Sequence, residues 1–463
     1  MKFDPVIDTL YSWVWGMPLL ILLMGVGAYL TFVLKGIQFR YLPYALKLAF
    51  GNQHVGEGKG DITHFQSLMT ALAATIGIGN IAGVATAMTV GGKGALFWMW
   101  ITALVGMSTK YAEALLAVKY RSIDKRNEMC GGPMYFIEQG LGWKWLAIAF
   151  AIFGAIAAFG GGNMLQANSV ADVMSSMFQV DPFITGLILA VLTGLTLVGG
   201  IKSIGAIASL LVPMMALLYI GGGIGIIISR YYLIPEALFS ILQHAFSPQA
   251  AFGAFAGSTV ATAIQVGVSR GLMTSEAGLG TASIAAAAAK TDLPGRQALV
   301  SMTGGFLATV VMCTVTGLVL GVTDVFGSTD ENGKILNGAS MTLAAFNSIF
   351  PLWGGYIVTL GLILFAFTTI IGWAYYGEKC VEYLFGEKSI PFYRFIFIGL
   401  IIPGAILELQ VVWKISDIFN GLMAFPNLIA LAALSGVVVK ETKHFLKVLE
   451  AERGNKTQTE KKA

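Results

Sequence analysis

Charged residues are scarce in this sequence, and their scarcity indicates the class of protein. Aspartate, glutamate, lysine and arginine make up 12% of the 463 residues, hydrophobic residues make up 56%, and the mean hydropathy is +0.75. A soluble domain carries about 25% charged residues. The composition therefore predicts a polytopic membrane protein. Its net charge of +4 is then a matter of membrane topology and does not indicate nucleic-acid binding.

Residue types that enzymes and redox proteins need are also few. No GxxxxGK[ST] loop occurs, which argues against ATP as an energy source. The cysteines lack the spacing of a metal or redox motif, and the histidines fall at connections or in the tail: Cys130, Cys313, Cys380, His54, His64, His244 and His444. These absences disfavour a membrane-embedded enzyme and predict a protein without a cofactor. No obligatory protein partner is evident.

Eleven apolar segments approach or exceed the ~20 residues that cross a bilayer as a helix. They lie at 15–34, 66–90, 94–118, 146–170, 183–199, 205–228, 252–289, 297–322, 353–377, 393–407 and 418–439. The first is too long for a signal peptide and is predicted to be a retained anchor. The seventh, at 38 residues, must be tilted or interrupted. The charged tail from Lys440 is predicted to be soluble and partly disordered.

Lysine and arginine are distributed unevenly between the connections. If all eleven segments cross the membrane, 22 basic residues lie on one side, five on the other and two within segments. Basic residues concentrate on the cytoplasmic side. The sequence therefore predicts a multi-pass protein of the plasma membrane with its N-terminus outside and its C-terminus in the cytoplasm.

The second segment contains an unusual concentration of helix-weakening residues: Gly77, Gly79, Asn80 and Gly83. Each glycine costs a helix roughly 1 kcal/mol relative to alanine. In hydrocarbon, every freed N–H or C=O group must find a partner in the protein or in a wet cavity. Two interpretations fit this segment: small residues for close helix packing, or a broken helix that lines the midplane site of a secondary transporter.

The seventh segment repeats this feature and suggests an internal symmetry. Residues 267–283 are again glycine-rich, and Gly278-Leu-Gly-Thr echoes Gly77-Ile-Gly-Asn. Segments two to six and seven to eleven form two blocks of five that each open with a broken helix, so the blocks enter the membrane from opposite sides. The predicted fold is an all-α membrane protein of eleven helices with an inverted five-plus-five repeat. Its parts are an N-terminal helix and amphipathic connection (1–65), the two repeats (66–228 and 229–439) and the tail (440–463).

Several longer motifs resemble one known family. They are GIGNIAGVATA from Gly77, GALFWMW from Gly94, KYAE from Lys110, GGPMY from Gly131, SRG from Ser269 and EAGLG from Glu276. In this order they resemble the alanine or glycine:cation symporter family, within the amino acid-polyamine-cation superfamily. The resemblance implies a leucine-transporter-type fold and sodium-coupled uptake of a small neutral amino acid such as alanine or glycine. Some similar members are thought to prefer glutamine.

An amino acid is a zwitterion, so its site needs donors for a carboxylate and acceptors for an ammonium group. N–H groups at the start of a half-helix suit the carboxylate, and they are predicted at Gly77, Ile78, Gly79 and Asn80. Carbonyl groups at Gly271 and Leu272, in the predicted second break, are candidates for the ammonium group. The resemblance favours Asn168 as a further contact, although an amide near a span end is often an interfacial hydrogen bonder.

The ninth segment carries the candidate cation ligands. The resemblance favours a sodium site made by the hydroxyl groups of Thr368 and Thr369 with carbonyl groups near Ala74 and Gly77. The alternative is that both threonines bond back to their own helix. Thr369 is also assigned to the substrate site. Trp373, one turn later, would limit the size of the substrate side chain, whereas membrane tryptophans more often anchor an interface.

The charged residues within segments refine the functional hypothesis. Lys110 and Glu113, three residues apart, predict a local salt bridge, and a pair between Arg270 and Glu276 would brace or gate the second break. The sequence reveals no unpaired aspartate or glutamate at mid-membrane, of the kind a proton relay needs. We therefore expect a sodium-coupled symporter that works by alternating access. A proton-coupled transporter of the same fold and, less favoured, a channel are the alternatives.

Overall fold

The computed structural model describes residues 4–51, 58–246, 260–329, 333, 335–407 and 410–460. Almost every described element is an α-helix, as the composition predicts. The helices are α1 (Asp4–Val14), α2 (Met17–Val33), α3 (Ile37–Arg40), α4 (Leu42–Phe50), α5 (His64–Thr75), α6 (Ala82–Val90), α7 (Ala95–Lys119), α8 (Pro133–Leu141), α9 (Lys144–Phe159), α10 (Leu165–Phe178), α11 (Pro182–Val198), α12 (Gly200–Ser229), α13 (Ile234–Phe246), α14 (Val260–Ser275), α15 (Thr281–Ala287), α16 (Pro294–Gly305), α17 (Thr314–Val322), α18 (Gly338–Ile349), α19 (Gly354–Phe385), α20 (Ile390–Gly399), α21 (Ile401–Ile406), α22 (Gln410–Ala433) and α23 (Ser435–Glu460).

Short elements complete the chain. Two strands, β1 (Ser122–Ile123) and β2 (Met129–Cys130), pair antiparallel with Ser122 opposite Cys130. Single 3₁₀ turns and two π-helical stretches interrupt or join the helices: Ile78–Asn80, Tyr231–Leu233, Glu387–Ser389, Gly160–Met164 and Phe306–Cys313.

Eight helical segments of the described residues are long and apolar enough to cross a membrane. They are Pro5–Val33, Ala95–Lys119, Lys144–Phe178, Gly200–Ser229, Pro294–Val322, Gly354–Phe385, Glu387–Ile406 and Val411–Ala433, and the apolar helix Pro182–Val198 is slightly shorter. This confirms a multi-pass membrane protein. The predicted segments 66–90 and 252–289 are each divided into shorter helices, and residues 252–259 lie outside the described residues. The count of eleven spans stays a prediction.

The second apolar segment is a broken helix, as the sequence predicts. Helix α5 ends at Thr75, extended backbone follows at Ile76 and Gly77, and α6 begins after one 3₁₀ turn. The side chain of Asn80 accepts a hydrogen bond from the Gly77 N–H group at 3.2 Å. A methyl group at Gly77 would stand 2.9 Å from Oγ1 of Thr369. The break therefore depends on a glycine at this position and on a local side-chain acceptor.

The second break lies later in the chain than predicted. Helix α14 continues through Ser275, and left-handed backbone follows at Glu276 (φ 52°), Gly278 (φ 90°) and Gly280 (φ 82°) before α15 begins. The assignment of Gly271 and Leu272 to the break is therefore wrong. Both lie inside α14, and the Leu272 carbonyl accepts the N–H group of Glu276 at 2.7 Å as in a regular helix.

A carboxylate from α7 holds the second break open. Oε1 of Glu113 accepts the N–H groups of Gly278 at 3.0 Å and Gly280 at 3.2 Å, together with the Asn427 amide at 2.7 Å. These donors have no helical partner, and a buried N–H group without an acceptor is costly. The expected Lys110–Glu113 salt bridge is also wrong. Among the described residues, no ion pair with an N–O distance of 4.0 Å or less joins Lys110 to Glu113. The Glu113 carboxylate points to the break instead.

The predicted disorder of the tail is wrong for residues 440–460, which belong to α23. Phe445 and Leu449 are buried, and a methyl group at Gly295 would stand 2.5 Å from the Phe445 ring. Two ion pairs, Lys119–Glu441 (2.7 Å) and Arg296–Glu452 (2.8 Å), fasten α23 to α7 and α16. Two acidic residues of the tail are thus paired with neighbouring helices, so its polarity does not imply a free chain.

Candidate substrate cavity

A cavity of about 210 Å³ lies between the two broken helices. Its walls come from α5, α6, α10, α14, α19, α22, both breaks and the π-helical stretch Gly160–Met164. Six of the residues that the sequence assigned to substrate or sodium line it: Ala74, Gly77, Ile78, Gly79, Thr369 and Trp373. The fold thus brings together residues that are almost 300 positions apart in the chain.

The other assigned residues lie outside the cavity lining. Asn80 is fully buried, and its amide donates to the Ala308 carbonyl at 2.9 Å. Asn168 donates to the Leu407 carbonyl at 3.1 Å, which is the hydrogen-bonding role that the sequence left as its alternative. Gly271 and Leu272 lie within α14, as described above.

The adjacent threonines of α19 face different neighbours. The Thr369 hydroxyl donates to the Ala73 carbonyl at 3.1 Å, across the gap between α19 and α5. The Thr368 hydroxyl instead donates to the Phe365 carbonyl of its own helix at 3.0 Å. Consecutive helical residues point about 100° apart, since a turn takes about 3.6 residues. Only Thr369 of this pair lines the cavity.

Gln166 lines the cavity and was missed by the sequence analysis. Its Nε2 atom donates to the Gly161 carbonyl at 3.0 Å, and its buried Oε1 atom has no hydrogen-bond partner among the described residues. Oε1 would stand 3.8 Å from a methyl group at Gly77. A buried acceptor without a partner therefore lies beside the first break, on a residue of the cavity wall.

The π-helical stretch explains this orientation. Within this stretch the Gly161 carbonyl accepts the Gln166 amide, and Gly162 lies so close to α19 that a methyl group there would overlap Cβ of Trp373. Such bulges change the phase of a helix and occur often at functional sites. Regular helical periodicity cannot indicate which of Gln166 and Asn168 faces inward.

Three charged side chains line the same cavity: Arg270, Glu276 and Asp417. Oε2 of Glu276 lies 3.1 Å from the Thr75 hydroxyl and 3.2 Å from the Thr281 hydroxyl, so one carboxylate touches both broken helices. The sequence analysis expected no unpaired carboxylate at a site of this kind, and that expectation is wrong, because no ion pair within 4.0 Å among the described residues includes Glu276.

The predicted pair between Arg270 and Glu276 is also wrong. In the described part of the chain, Arg270 and Glu276 form no ion pair with an N–O distance of 4.0 Å or less. Arg270 contacts Sδ of Met273 at 3.7 Å and lies in the electrostatic field of Asp417. A left-handed residue at 276 turns its side chain toward Thr75 and Thr281 and away from α14.

A second cavity of about 260 Å³ adjoins the first and shares Thr86 and Arg270 with it. Its other lining residues come from the N-terminal region, α6 and α14: Tyr11, Trp15, Val90, Gln265, Val266 and Ser269. The Trp15 indole donates to the Asp417 carbonyl at 2.9 Å. Thr86 and Arg270 thus lie between the two cavities, and the second cavity borders α1 through Tyr11.

A separate polar cluster lies at the β1–β2 loop, away from the cavity. Asp124, Cys130 and Glu382 offer atoms within 4.8 Å of one another, which resembles a metal site. The ammonium group of Lys379 lies 2.9 Å from Glu382 and 3.3 Å from the Cys130 sulfur. It supplies the positive charge that a metal ion would otherwise supply. Burial raises the pKa of the Cys130 thiol to about 12. The cluster fits a structural charge network better than a metal centre.

Comparisons with known proteins identify similar chains. The family described as the sodium:alanine symporter family matches residues 1–461. The sodium/alanine symporter AgcS of Methanococcus maripaludis is 55% identical over 462 residues, covering 98% of this chain and 100% of that protein. The probable sodium/glutamine symporter GlnT of Bacillus subtilis is 34% identical over 438 residues, covering 94% and 89%.

A solved structure shares the fold. The crystal structure of MhsT in complex with L-phenylalanine matches with a TM-score of 0.61, covering 83% of this chain and 93% of that one. At 13% identity this likeness shows the fold alone, which is of the leucine-transporter type.

Proposed function

Because the chain belongs to the sodium:alanine symporter family, we propose that it imports a small neutral amino acid, alanine or glycine, together with sodium by alternating access. The observation that carries the proposal is one cavity placed between two broken helices. Secondary transporters of this type bind substrate and ion where helices are interrupted near the bilayer midplane. Glutamine, named for one relative, is the alternative substrate.

The substrate carboxylate is proposed to bind at the first break. The first N–H groups of a helical turn have no partner within that turn, and here they belong to Ile78 and Gly79. Both residues line the cavity, and the positive end of a turn attracts an anion. The N–H group of Gly77 already donates to the Asn80 side chain, so it is not counted among the donors for the carboxylate. The role proposed for Gly77 is to leave room for the substrate, because it has no side chain.

The ammonium group is proposed to bind Oε1 of Gln166, in place of the carbonyl groups of Gly271 and Leu272. This atom is buried, belongs to a residue that lines the cavity and has no hydrogen-bond partner among the described residues. A charge-assisted hydrogen bond satisfies it. The Trp373 side chain, on the opposite helix, bounds the space for the substrate side chain. Asn168 is not part of this proposal.

The sodium ion is proposed to bind between α5 and α19. The Thr369 hydroxyl, the Ala73 carbonyl and the carbonyl groups of the segment from Ala74 to Gly77 supply the neutral oxygen atoms that a hard cation prefers. Thr368 is excluded from this set because its hydroxyl faces its own helix. With one sodium ion per amino acid, each 100 mV of membrane potential contributes about 2.3 kcal/mol, roughly a fifty-fold accumulation.

The topology completes the proposal. We infer eleven spans, an inverted repeat formed by residues 66–228 and 229–439, an external N-terminus and a cytoplasmic C-terminus in the plasma membrane. Each half contains a break in its first predicted membrane segment, which supports the repeat. The asymmetry of lysine and arginine supports the orientation.

Uptake into proteoliposomes tests the proposal. Purified protein is given labelled alanine with an inward sodium gradient or an equal potassium gradient, with unlabelled glycine, glutamine and leucine as competitors. We expect accumulation with sodium only, competed by glycine. Competition by glutamine alone would identify the alternative substrate, and the absence of sodium-driven uptake by folded protein would refute the symporter.

A proton-coupled transporter is the second candidate, and a specific observation favours it. Glu276 places a titratable carboxylate on the cavity wall, in contact with both breaks. Uptake driven by a pH gradient in sodium-free buffer would support this candidate over the first.

A further inference from the structure

Backbone hydrogen bonds join residues 58–62, before α5, to residues 287–291, at the end of α15, and we call this contact the seam. The Ala288 carbonyl accepts the N–H group of Ile62 at 3.2 Å, and the Lys290 N–H group donates to the Ile62 carbonyl at 2.7 Å. Helix α5 leads from the seam to the first break, and α15 leads from the second break back to the seam. The seam therefore ties one half of each broken helix to the other.

Two glycines allow the segments of the seam to approach each other closely. A methyl group at Gly58 would overlap the backbone of Thr291, and one at Gly60 would overlap the backbone of Ala289 and Lys290. Any larger side chain at these positions would force the two segments apart. The close contact is therefore written into the sequence before α5.

Arg121, two residues after the end of α7, crosses the seam. Its guanidinium group donates to the Ala287 carbonyl at 3.0 Å and to the Ala289 carbonyl at 2.8 Å. On the other side of the seam it donates to the Lys59 carbonyl at 2.8 Å. The planar guanidinium carries several N–H donors in a fixed arrangement, which suits it to hold three carbonyl groups at once. Arg121 thus reinforces the attachment of α5 to α15.

Helix α5 meets α12 in a different way. A methyl group at Gly205 of α12 would stand 3.4 Å from Cβ of Gln66 and 3.7 Å from Oγ1 of Thr70. Among the described residues, no hydrogen bond or ion pair joins α5 to α12. Contacts of this kind can separate without leaving a buried polar group unpaired, which would be costly.

We propose that the seam and Arg121 make α5 and α15 one moving body, and that the path from the cavity to the cytoplasm opens between this body and α12. The inference rests on the proposed symport by alternating access, and it makes Arg121 a positioning residue for the transport step. Separation of α5 from α15 would break the hydrogen bonds of the seam, whereas α5 leaves α12 by losing packing contacts only. Because one half of each broken helix belongs to this body, the two breaks rearrange together.

Two pairs of cysteines in the full-length protein test which contact opens. Lys59→Cys with Thr291→Cys spans the seam, where an isolated antiparallel bridge makes these residues cross-strand neighbours. Gln66→Cys with Gly205→Cys spans the contact with α12. Both pairs are close to the Cβ separation of about 3.5–4.5 Å that a disulfide needs. The native cysteines are buried. Sodium-driven alanine uptake into proteoliposomes is measured before oxidation, after oxidation and after reduction.

The two pairs are expected to respond in opposite ways. The oxidised seam pair should keep most of its uptake, whereas the oxidised α12 pair should lose uptake and regain it on reduction. A seam disulfide that abolishes uptake reversibly while alanine still binds would overturn the inference, as would an α12 disulfide that leaves uptake intact. Wild-type protein without sodium-driven uptake would instead overturn the symporter proposal.

A single substitution tests Arg121 without any cross-link. Arg121→Ala should lower the maximum rate of uptake by about tenfold, because hydrogen bonds from a charged donor are about twice as strong as neutral ones. Alanine affinity at saturating sodium should stay nearly unchanged, since the cavity lining keeps its residues. Arg121→Lys, which keeps the charge and has fewer donors, should restore part of the rate.

The control is Lys290→Ala, which removes an exposed positive charge from the seam and leaves its backbone hydrogen bonds in place. It should transport like the wild type. Equal losses in Lys290→Ala and Arg121→Ala, or a loss of alanine affinity with an unchanged maximum rate in Arg121→Ala, would contradict the positioning role.

Discussion

The two helix breaks meet the same physical requirement with residues from different places. In the first, Asn80 accepts the N–H group of Gly77 only three positions away. In the second, Glu113 of α7 accepts the N–H groups of Gly278 and Gly280, which are more than 160 positions distant in the chain. The first break is therefore a local feature of its own sequence, whereas the second depends on tertiary contacts.

The largest expected effect comes from removing the remote acceptor. Glu113→Ala leaves the N–H groups of Gly278 and Gly280 and the Asn427 amide without their shared partner. We expect a destabilisation of about 3 kcal/mol or more, since each buried donor left unsatisfied costs about 1–3 kcal/mol. Thermal unfolding in detergent measures it. Glu236→Ala, at an exposed site, is the control, and equal midpoints for the two variants would contradict the bracing role.

The next effect tests the first break through its contact with α19. Gly77→Ala places a methyl group 2.9 Å from Oγ1 of Thr369, and overpacking of this kind costs about 1–3 kcal/mol. We expect sodium-driven alanine uptake to fall about tenfold. Gly83→Ala, on the same broken helix, meets nothing within 4 Å and should transport considerably better. Similar losses in both variants would show that the glycines serve flexibility and that the close approach to Thr369 is unimportant.

A third effect concerns the substrate contact beside the first break. Gln166→Ala removes the unpartnered acceptor, and a hydrogen bond to a charged group is worth about 1.5–3 kcal/mol. We expect the KM for alanine to rise at least about tenfold with little change in protein stability. Asn168→Ala is the matched variant and should change KM only slightly, because its amide binds Leu407. A larger effect at Asn168 would restore the original assignment.

The smallest effect is expected at the end of α7, the helix that braces the second break. Lys119→Ala removes the ion pair with Glu441, in which both side chains are partly exposed, 31% and 20%. Such pairs contribute about 0–1 kcal/mol. We expect the unfolding midpoint to move little and uptake to persist. A large loss would mean that α23 controls the brace through this contact.

The fold was largely predictable because it follows from apolar length and from glycine patterns. The first break was located correctly, since Gly77, Gly79 and Asn80 weaken and cap the helix within a few residues. The second was misplaced, since its partner is Glu113 on another helix. Sequence distance conceals that partner, and the salt bridge expected between Glu113 and Lys110 followed from helical spacing alone.

The site was predictable only in part, for reasons of helical phase. Thr369 and Trp373 of α19 line the cavity as predicted, whereas Thr368 faces its own helix. Gln166 was overlooked because the π-helical stretch before it shifts the inward-facing register. The sequence analysis predicted that Glu276 would pair with Arg270. The left-handed backbone that directs Glu276 elsewhere cannot be anticipated for a glutamate.

The packed tail helix has a practical consequence for following the transport cycle. Phe445 fits against Gly295 at the start of α16, and Glu452, about two turns later in α23, pairs with the adjacent Arg296. A fluorophore attached to an exposed position of α23, such as Lys443, would move with α16. Its fluorescence would then report movements of α16 during transport. The end of the chain is thus a place to attach a reporter, provided that the label leaves the buried face around Phe445 untouched.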